Sequence, residues 1–228
     1  TSSATIAATA LSDIGGKTSG TVTVTKAVKI TGATADLTNT LVSGSSLVVA
    51  GTALVTVSDD AFTTSSATIA ATALSDIGGK TSGTVTVTKA VKITGATADL
   101  TNTLVSGSSL VVAGTALVTV SDDAFTTSSA TIAATALSDI GGKTTGAVTL
   151  ANKVRLQGSQ SEVATALVGD SSVEASKANT EARVTSVVNV NQGEEIAGVN
   201  NVQGIFASGL SDSLSSLASG GNSTAKLN

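Results

Sequence analysis

The sequence predicts an α/β repeat solenoid. Each turn of about 31 residues is one helix plus two short strands, the strands stack into parallel sheets, and a divergent cap ends the chain. Three observations predict it. Residues 1–63 recur without a change at 64–126, and the opening 17 residues of a third copy stand at 127–143. Within one copy, helical spacing of apolar residues gives way twice to strict alternation. The bulk is Thr, Ser, Ala, Val, Gly and Leu, with 41% hydrophobic and 12% charged residues, which is too apolar for a disordered chain. A fixed period in the tens of residues is how units that bury one another's apolar faces are written.

Residues 4–14, ATIAATALSDI, place Ile6, Ala10, Leu11 and Ile14 on one helical face. Ser2 or Ser3 is placed to cap the start. Gly15-Gly16 is placed to end the helix, a left-handed glycine being the usual stop. Lys17 then sits by the negative end of the helix dipole. Residues 18–20 connect. Residues 21–25 alternate, with Val22 and Val24 inward, and Val28 and Ile30 resume that face. Lys26 falls on the inward parity, so the strand breaks at Lys26-Ala27.

The second half repeats the plan. A helix over 33–42 carries Ala33, Leu37 and Leu41 on one face, with Thr31 or Thr34 to cap it. A strand over 46–50 carries Leu47 and Val49 inward. After a break at Gly51, a strand over 52–58 carries Ala53, Val55 and Val57 inward. The break falls four residues after the first inward strand residue at Lys26, Gly51 and Asn152 alike. Gly and Asn tolerate a positive φ there. The break reads as a corner rather than a hairpin, since Lys-Ala is a poor two-residue hairpin loop.

The third copy checks these faces because it varies. Aligned at a shift of 126, Val22 becomes Val148, Val24 becomes Leu150, Ile30 becomes Leu156 and Leu37 becomes Val163. The outward Thr25, Lys29 and Asp36 become Ala151, Arg155 and Glu162. Inward letters stay apolar and outward letters wander. Past about residue 175 the alignment fails. Residues 182–190 read as a strand, and 194–207, with Ile196, Val199, Val202 and Phe206, as a helix. The organisation is therefore 1–63 repeat 1, 64–126 repeat 2, 127–175 a partial divergent repeat 3, and 176–228 a C-terminal cap or tail.

Chemistry-bearing motifs are few. The chain has no Cys and no His, so the common bases, nucleophiles and zinc ligands are missing, and an enzyme is not expected. Gly16-Lys17-Thr18 resembles the tail of a phosphate-binding loop, but the required earlier glycine is Leu11 and a helix precedes rather than follows. It reads as a helix end. Asp59-Asp60 and Asp122-Asp123 are the paired carboxylates of the repeats. With Ser58 and backbone carbonyls they suggest a weak calcium site; the competing reading is N-capping and an acidic first turn. No other cofactor is implied. The rows Thr21/Thr23/Thr25 and Thr84/Thr86/Thr88 suit a regular lattice, or simply the exposed face of a strand. A net charge of −4 argues against nucleic acid. No apolar run approaches the ~18 residues of a membrane span. The chain opens without Met or a signal peptide, as a piece of a longer chain would.

Residues 18–42, with their counterparts 81–105 and 144–168, carry wording such as GGKTSGTVTVTKAVKITGATADLTNTLV. This resembles the Thr/Ala/Val-rich tandem repeats of very large secreted or cell-surface proteins of cyanobacteria and other Gram-negative bacteria. The resemblance implies an extracellular or cell-surface location and a structural or adhesive role: stalk, sheath or filament subunit. The alternative is a surface-binding adhesin or a lattice- or calcium-binding module. The resemblance transfers no catalytic residues and names no surface or glycan partner. End-to-end self-association is expected from physics alone, because stacked parallel strands end in open edges and the first repeat carries no Pro to blunt one.

Overall fold

The computed structural model describes residues 4–26, 28–45, 47–64, 68–108, 110–126, 131–169, 173–174, 180–199, 202–209 and 211. The chain is α/β with several parallel sheets. It divides into two compact units, Thr1–Val118 with Lys143–Gly146, and Thr119–Gly142 with Ala147–Asn228.

The first copy runs β1 (Thr5–Ala7), α1 (Ala8–Gly15), β2 (Val22–Thr23), β3 (Lys29–Gly32), α2 (Thr34–Leu37, widening into a π turn over Thr38–Val42), β4 (Val48–Val49) and β5 (Leu54–Val57). The second repeats it: β6 (Ile69–Ala70), α3 (Ala71–Gly78), β7 (Val85–Val87), β8 (Lys92–Gly95), α4 (Thr97–Leu100, widening over Thr101–Val105), β9 (Val111–Val112) and β10 (Leu117–Val120). In the first unit one sheet has the order β1-β3-β5-β7-β9. Every register in it is parallel. Its inner face is the ladder Ile6, Ile30, Val55, Val85 and Val111, and its outer face is Ala7, Thr31, Thr56, Thr86 and Val112. Ile30, Val55 and Val85 are fully buried, which puts the core of this unit under that sheet. Leu37, Leu74 and Leu100 on the helices are fully buried as well.

Parallel pairing rules out hairpins at the breaks, since a hairpin would pair its strands antiparallel. The chain instead turns a corner: β2 pairs with β4, whereas β3 pairs with β1 and β5. Of the three break residues only Gly51 uses a left-handed backbone, at φ 58°.

Several expectations are corrected. The first helix does not span 4–14. Residues 5–7 form β1 instead, because Thr5 and Ile6 are β-branched and the edge of β3 offers them a ladder. The helix begins at Ala8, and its N-cap Ala7 makes no side-chain hydrogen bond; Ser2 and Ser3 lie outside the described residues. Gly16 ends it in a right-handed conformation, φ −67°, not a left-handed one. Neither Thr31 nor Thr34 caps α2, whose N-cap is Ala33. Leu47 and Val49 point outward, 37% and 48% exposed, and Val48 is buried in their place. The cause is a left-handed backbone at Leu47, φ 54°, repeated at Leu110, which flips the parity of the strand residues after it. Ile14 is 54% exposed, whereas its copy Ile77 is fully buried. The difference is that α1 packs on one π turn, Thr38–Val42, whereas α3 packs on two, Thr38–Val42 and Thr101–Val105.

The second unit contains β11 (Ile132–Ala133), α5 (Ala134–Gly141), β12 (Val148–Leu150), β13 (Arg155–Gly158), α6 (Gln160–Ala164, widening over Thr165–Gly169), β14 (Val173–Glu174), β15 (Thr180–Val184), α7 (Val190–Ala197) and β16 (Val202–Phe206). One sheet has the order β11-β13-β15-β16, and β12 pairs with β14, all parallel. The helix expected over 194–207 is moved. It starts after Asn189, whose side chain and that of Gln192 form a capping box, and Gly198 ends it. Residues 202–206 then pair with β15 as a strand, and the strand expected over 182–190 is Thr180–Val184.

Candidate functional site

A polar joint in the first unit lies where the second copy meets the first. It is built from strand-and-turn residues 50–62 of one copy and residues 81–92 of the next. β7 adds to β5 with Val55 opposite Val85, Thr56 opposite Thr86 and Val57 opposite Val87. Ahead of the strand, the Ser82 amide donates to the Gly51 carbonyl at 2.9 Å. The Thr81 hydroxyl donates to the Ala53 carbonyl at 2.5 Å and accepts from the Gly83 amide at 2.9 Å. Thr81 is buried in doing so. A Cβ placed on Gly83 would lie 2.2 Å from the Ala53 carbonyl oxygen, so only glycine fits this approach. Beyond the strand, the Thr88 hydroxyl donates to the Val57 carbonyl at 3.1 Å and the Phe62 amide donates to the Ala90 carbonyl at 2.8 Å.

The same joint recurs 63 residues on. Thr145 donates its amide to the Gly114 carbonyl at 2.9 Å, and the Thr144 hydroxyl donates to the Ala116 carbonyl at 2.5 Å. A Cβ on Gly146 would again fall 2.2 Å from the Ala116 oxygen. The phosphate-loop look-alike is thereby accounted for: its threonine, Thr81 or Thr144, is a buried clamp on a neighbouring carbonyl.

The aspartates of the candidate calcium site part company. Asp59 Oδ2 accepts from the Thr34 amide and from the Thr34 hydroxyl, both at 2.7 Å, and so caps α2 from 25 residues away. Asp60 reaches forward to the Lys89 ammonium at 2.7 Å. That hydrogen bond first, and the lysine's charge second, hold the Asp60 carboxyl below its ordinary value. Asp122 offers its backbone carbonyl to Asn152 Nδ2 at 2.7 Å, and Asp123 is exposed. Among the described residues no three acidic side chains gather in a group fit to hold a metal ion.

Beside this joint, the Lys92 ammonium stands 5.0 Å over the Phe62 ring. In the second unit Arg155 stacks 4.0 Å from Phe125 and pairs with the buried Glu181. The exchange is consistent: Lys29 faces Leu54 across the ladder, and Arg155 faces Glu181 in the equivalent register. α6 is capped locally, by a Ser159–Glu162 capping box. Hydrogen bonds from Ser159, its backbone amide first, hold the Glu162 carboxyl low. A shallow groove by α5 and α6 is lined by Thr135, Ser138, Asp139, Ser161, Glu162 and Thr165.

Thr84, Thr86 and Thr88 share one parity along and beside β7, opposite the buried Val85 and Val87. Thr86 belongs to a ladder running across strands, Thr31–Thr56–Thr86, drawn from both copies. Sequence reasoning took 18–20 for a connector and so missed Thr81 and Gly83. The one signal available was the third copy, which keeps Thr144 and Gly146 while Ser19 becomes Thr145. No family model, curated protein or solved structure matches the chain.

Proposed function

We propose that this chain is a structural repeat protein of the cell exterior, a stalk, sheath or filament subunit. Its turns of one helix and two strands stack as a solenoid closed by the residues from 176 on. One observation carries the reading: β7 of the second copy extends the sheet begun by the first. Copies so joined grow by addition, and their useful property is length rather than a pocket. End-to-end association and the extracellular location are parts of the same proposal; the location rests on the resemblance of the repeats to those of secreted giants.

The threonine ladder favours one second reading, a module that binds a regular surface. Strands in a ladder stand about 4.8 Å apart, so Thr31, Thr56 and Thr86 present hydroxyls at a fixed spacing. Electron microscopy of native material separates the two. Ordered fibres or a continuous sheath support the structural reading. Isolated rods that coat an added mineral or ice surface support the second and remove the first.

A further inference from the structure

Among the described residues, Leu47 and Leu110 are the only non-glycine residues with a left-handed backbone, each at φ 54°. That backbone crowds the leucine Cβ, and strain kept at the same place in two copies calls for a reason. The third copy does without it. Val48, Val111 and Val173 hold one place in the fold: they pair with Val22, Val85 and Val148, and each is 8% exposed. From the buried helical leucine to that valine is seven positions in the first two copies, Leu41 to Val48 and Leu104 to Val111. It is six in the third, Leu167 to Val173. Leu47 and Leu110 are thus one residue more than the loop needs, and the surplus residue bulges outward. Val49 and Val112 lie outside with them, 48% and 52% exposed. The run Leu110-Val111-Val112-Ala113 is apolar on both faces, so its own pattern suits either of two registers one residue apart.

The second register meets no obstacle in chain length. With Leu110 opposite Val85, the loop from Leu104 is six positions, as in the third copy. The corner from Leu110 to Leu117 is then seven, between the six from Val111 to Leu117 and the eight from Val173 to Glu181. Leu117 and Glu181 are equivalent, since their amides donate to the Val91 and Val154 carbonyls at 2.8 and 3.0 Å. The slipped register buries Leu110 and Val112 in place of Val111 and Ala113. That hides more apolar surface and frees the leucine from its left-handed backbone. The corner opposes it. The Ala113 carbonyl accepts from the Ala116 amide at 3.0 Å, and the Gly114 carbonyl from the Thr145 amide at 2.9 Å. The Ala116 carbonyl accepts from the Thr144 hydroxyl at 2.5 Å, with Gly146 packed against it. We propose that residues 110–113, and 47–50 in the first copy, are a two-register strand governed by the joint. The closed joint holds Leu110 and Val112 outside. Opening the joint releases the corner, and the strand slips by one residue to bury them, two packings of one sequence. The inference concerns this strand alone and stands whether or not the molecule forms a sheath.

The test uses the full 228-residue chain, which has no cysteine of its own. Val111→Cys and Val112→Cys are made singly, and the reaction of each thiol with a maleimide is timed. In the otherwise native chain Val112→Cys is expected to react faster than Val111→Cys by about tenfold or more, as a surface group does beside a protected one. Gly146→Ala opens the joint, since its methyl carbon would lie 2.2 Å from the Ala116 oxygen. In that background the order is expected to invert, with Val111→Cys the faster. Adding Leu110→Asn is expected to restore the native order, because asparagine tolerates the left-handed backbone and has nothing apolar to bury. Circular dichroism checks each fold. Should Gly146→Ala not fold, Thr144→Ala, which releases the same carbonyl without added bulk, takes its place. Fast reaction at both positions in the opened joint is local unfolding and overturns the proposal. So does an unchanged order, an inversion that survives Leu110→Asn, or equal reactivity in the native chain.

Discussion

Gly83→Ala and Gly20→Ala change the same residue in the same local sequence, and the structure gives them opposite costs. At Gly83 the added methyl carbon lies 2.2 Å from the Ala53 oxygen, 2.7 Å from its carbonyl carbon and 3.0 Å from the Thr52 oxygen. All three are backbone atoms, so no side chain can swing aside. Overpacking of this kind costs about 1–3 kcal/mol. Relief by separation stretches the Ser82–Gly51 and Thr81–Ala53 hydrogen bonds, each worth roughly 1 kcal/mol net. A loss of about 2–4 kcal/mol is expected for Gly83→Ala. Gly20→Ala meets no backbone atom and lies outside the left-handed region. It should be neutral, or stabilising by up to about 1 kcal/mol through the unfolded chain. Urea unfolding followed by circular dichroism measures both. Gly83→Ala within about 0.5 kcal/mol of Gly20→Ala, a margin near that of an ordinary surface change, would refute the close approach and with it the joint.

Leu110→Asn should stabilise by about 0.5–1 kcal/mol, since leucine bears a left-handed backbone there at φ 54° and asparagine tolerates it better; a lowered urea midpoint would refute it. Asp60 and Glu162 both titrate below their ordinary values in the fold. Their contributions are therefore full above the ordinary carboxylate range and fade as pH falls through the lowered values. Thermal melts from pH 5 downward should consequently drop more steeply for the native chain than for the Asp60→Asn, Glu162→Gln double variant. Because Asp59 and Asp60 are committed to Thr34 and Lys89, a calcium chelator should leave the melting temperature unchanged; a fall of several degrees would instead establish a calcium site.

Much of this architecture was legible because alternation and helical spacing report burial directly. Val55 and Val57, Ile30, Leu37 and Leu41 are buried where the pattern puts them. Val22, Val24 and Val28 are half-buried, but their copies Val85, Val87 and Val91 are buried. Two of the misreadings were settled by residues distant in sequence. β1 is a strand because β3 lies beside it, and α2 is capped from residue 59. Leu47 adds a purely local surprise, a left-handed leucine that no propensity scale favours. The Thr-Ser-Gly clamp was hidden for a different reason: hydroxyls and glycine are also what an ordinary connector is made of.

A sheet extended by the next copy has a consequence for synthesis. β5 ends at Val57, and the strand that covers its free edge begins at Val85. Translation advances at roughly 5–20 residues per second, so the edge waits about 1–6 seconds, with its backbone groups bare, before its partner is made. Two nascent chains on one messenger, each holding out the same incomplete edge, can exchange strands during that interval. The pace of the ribosome across residues 58–87 thus bears on whether neighbouring chains emerge separate or laced together. Slowing those codons should raise the laced fraction without altering a single residue.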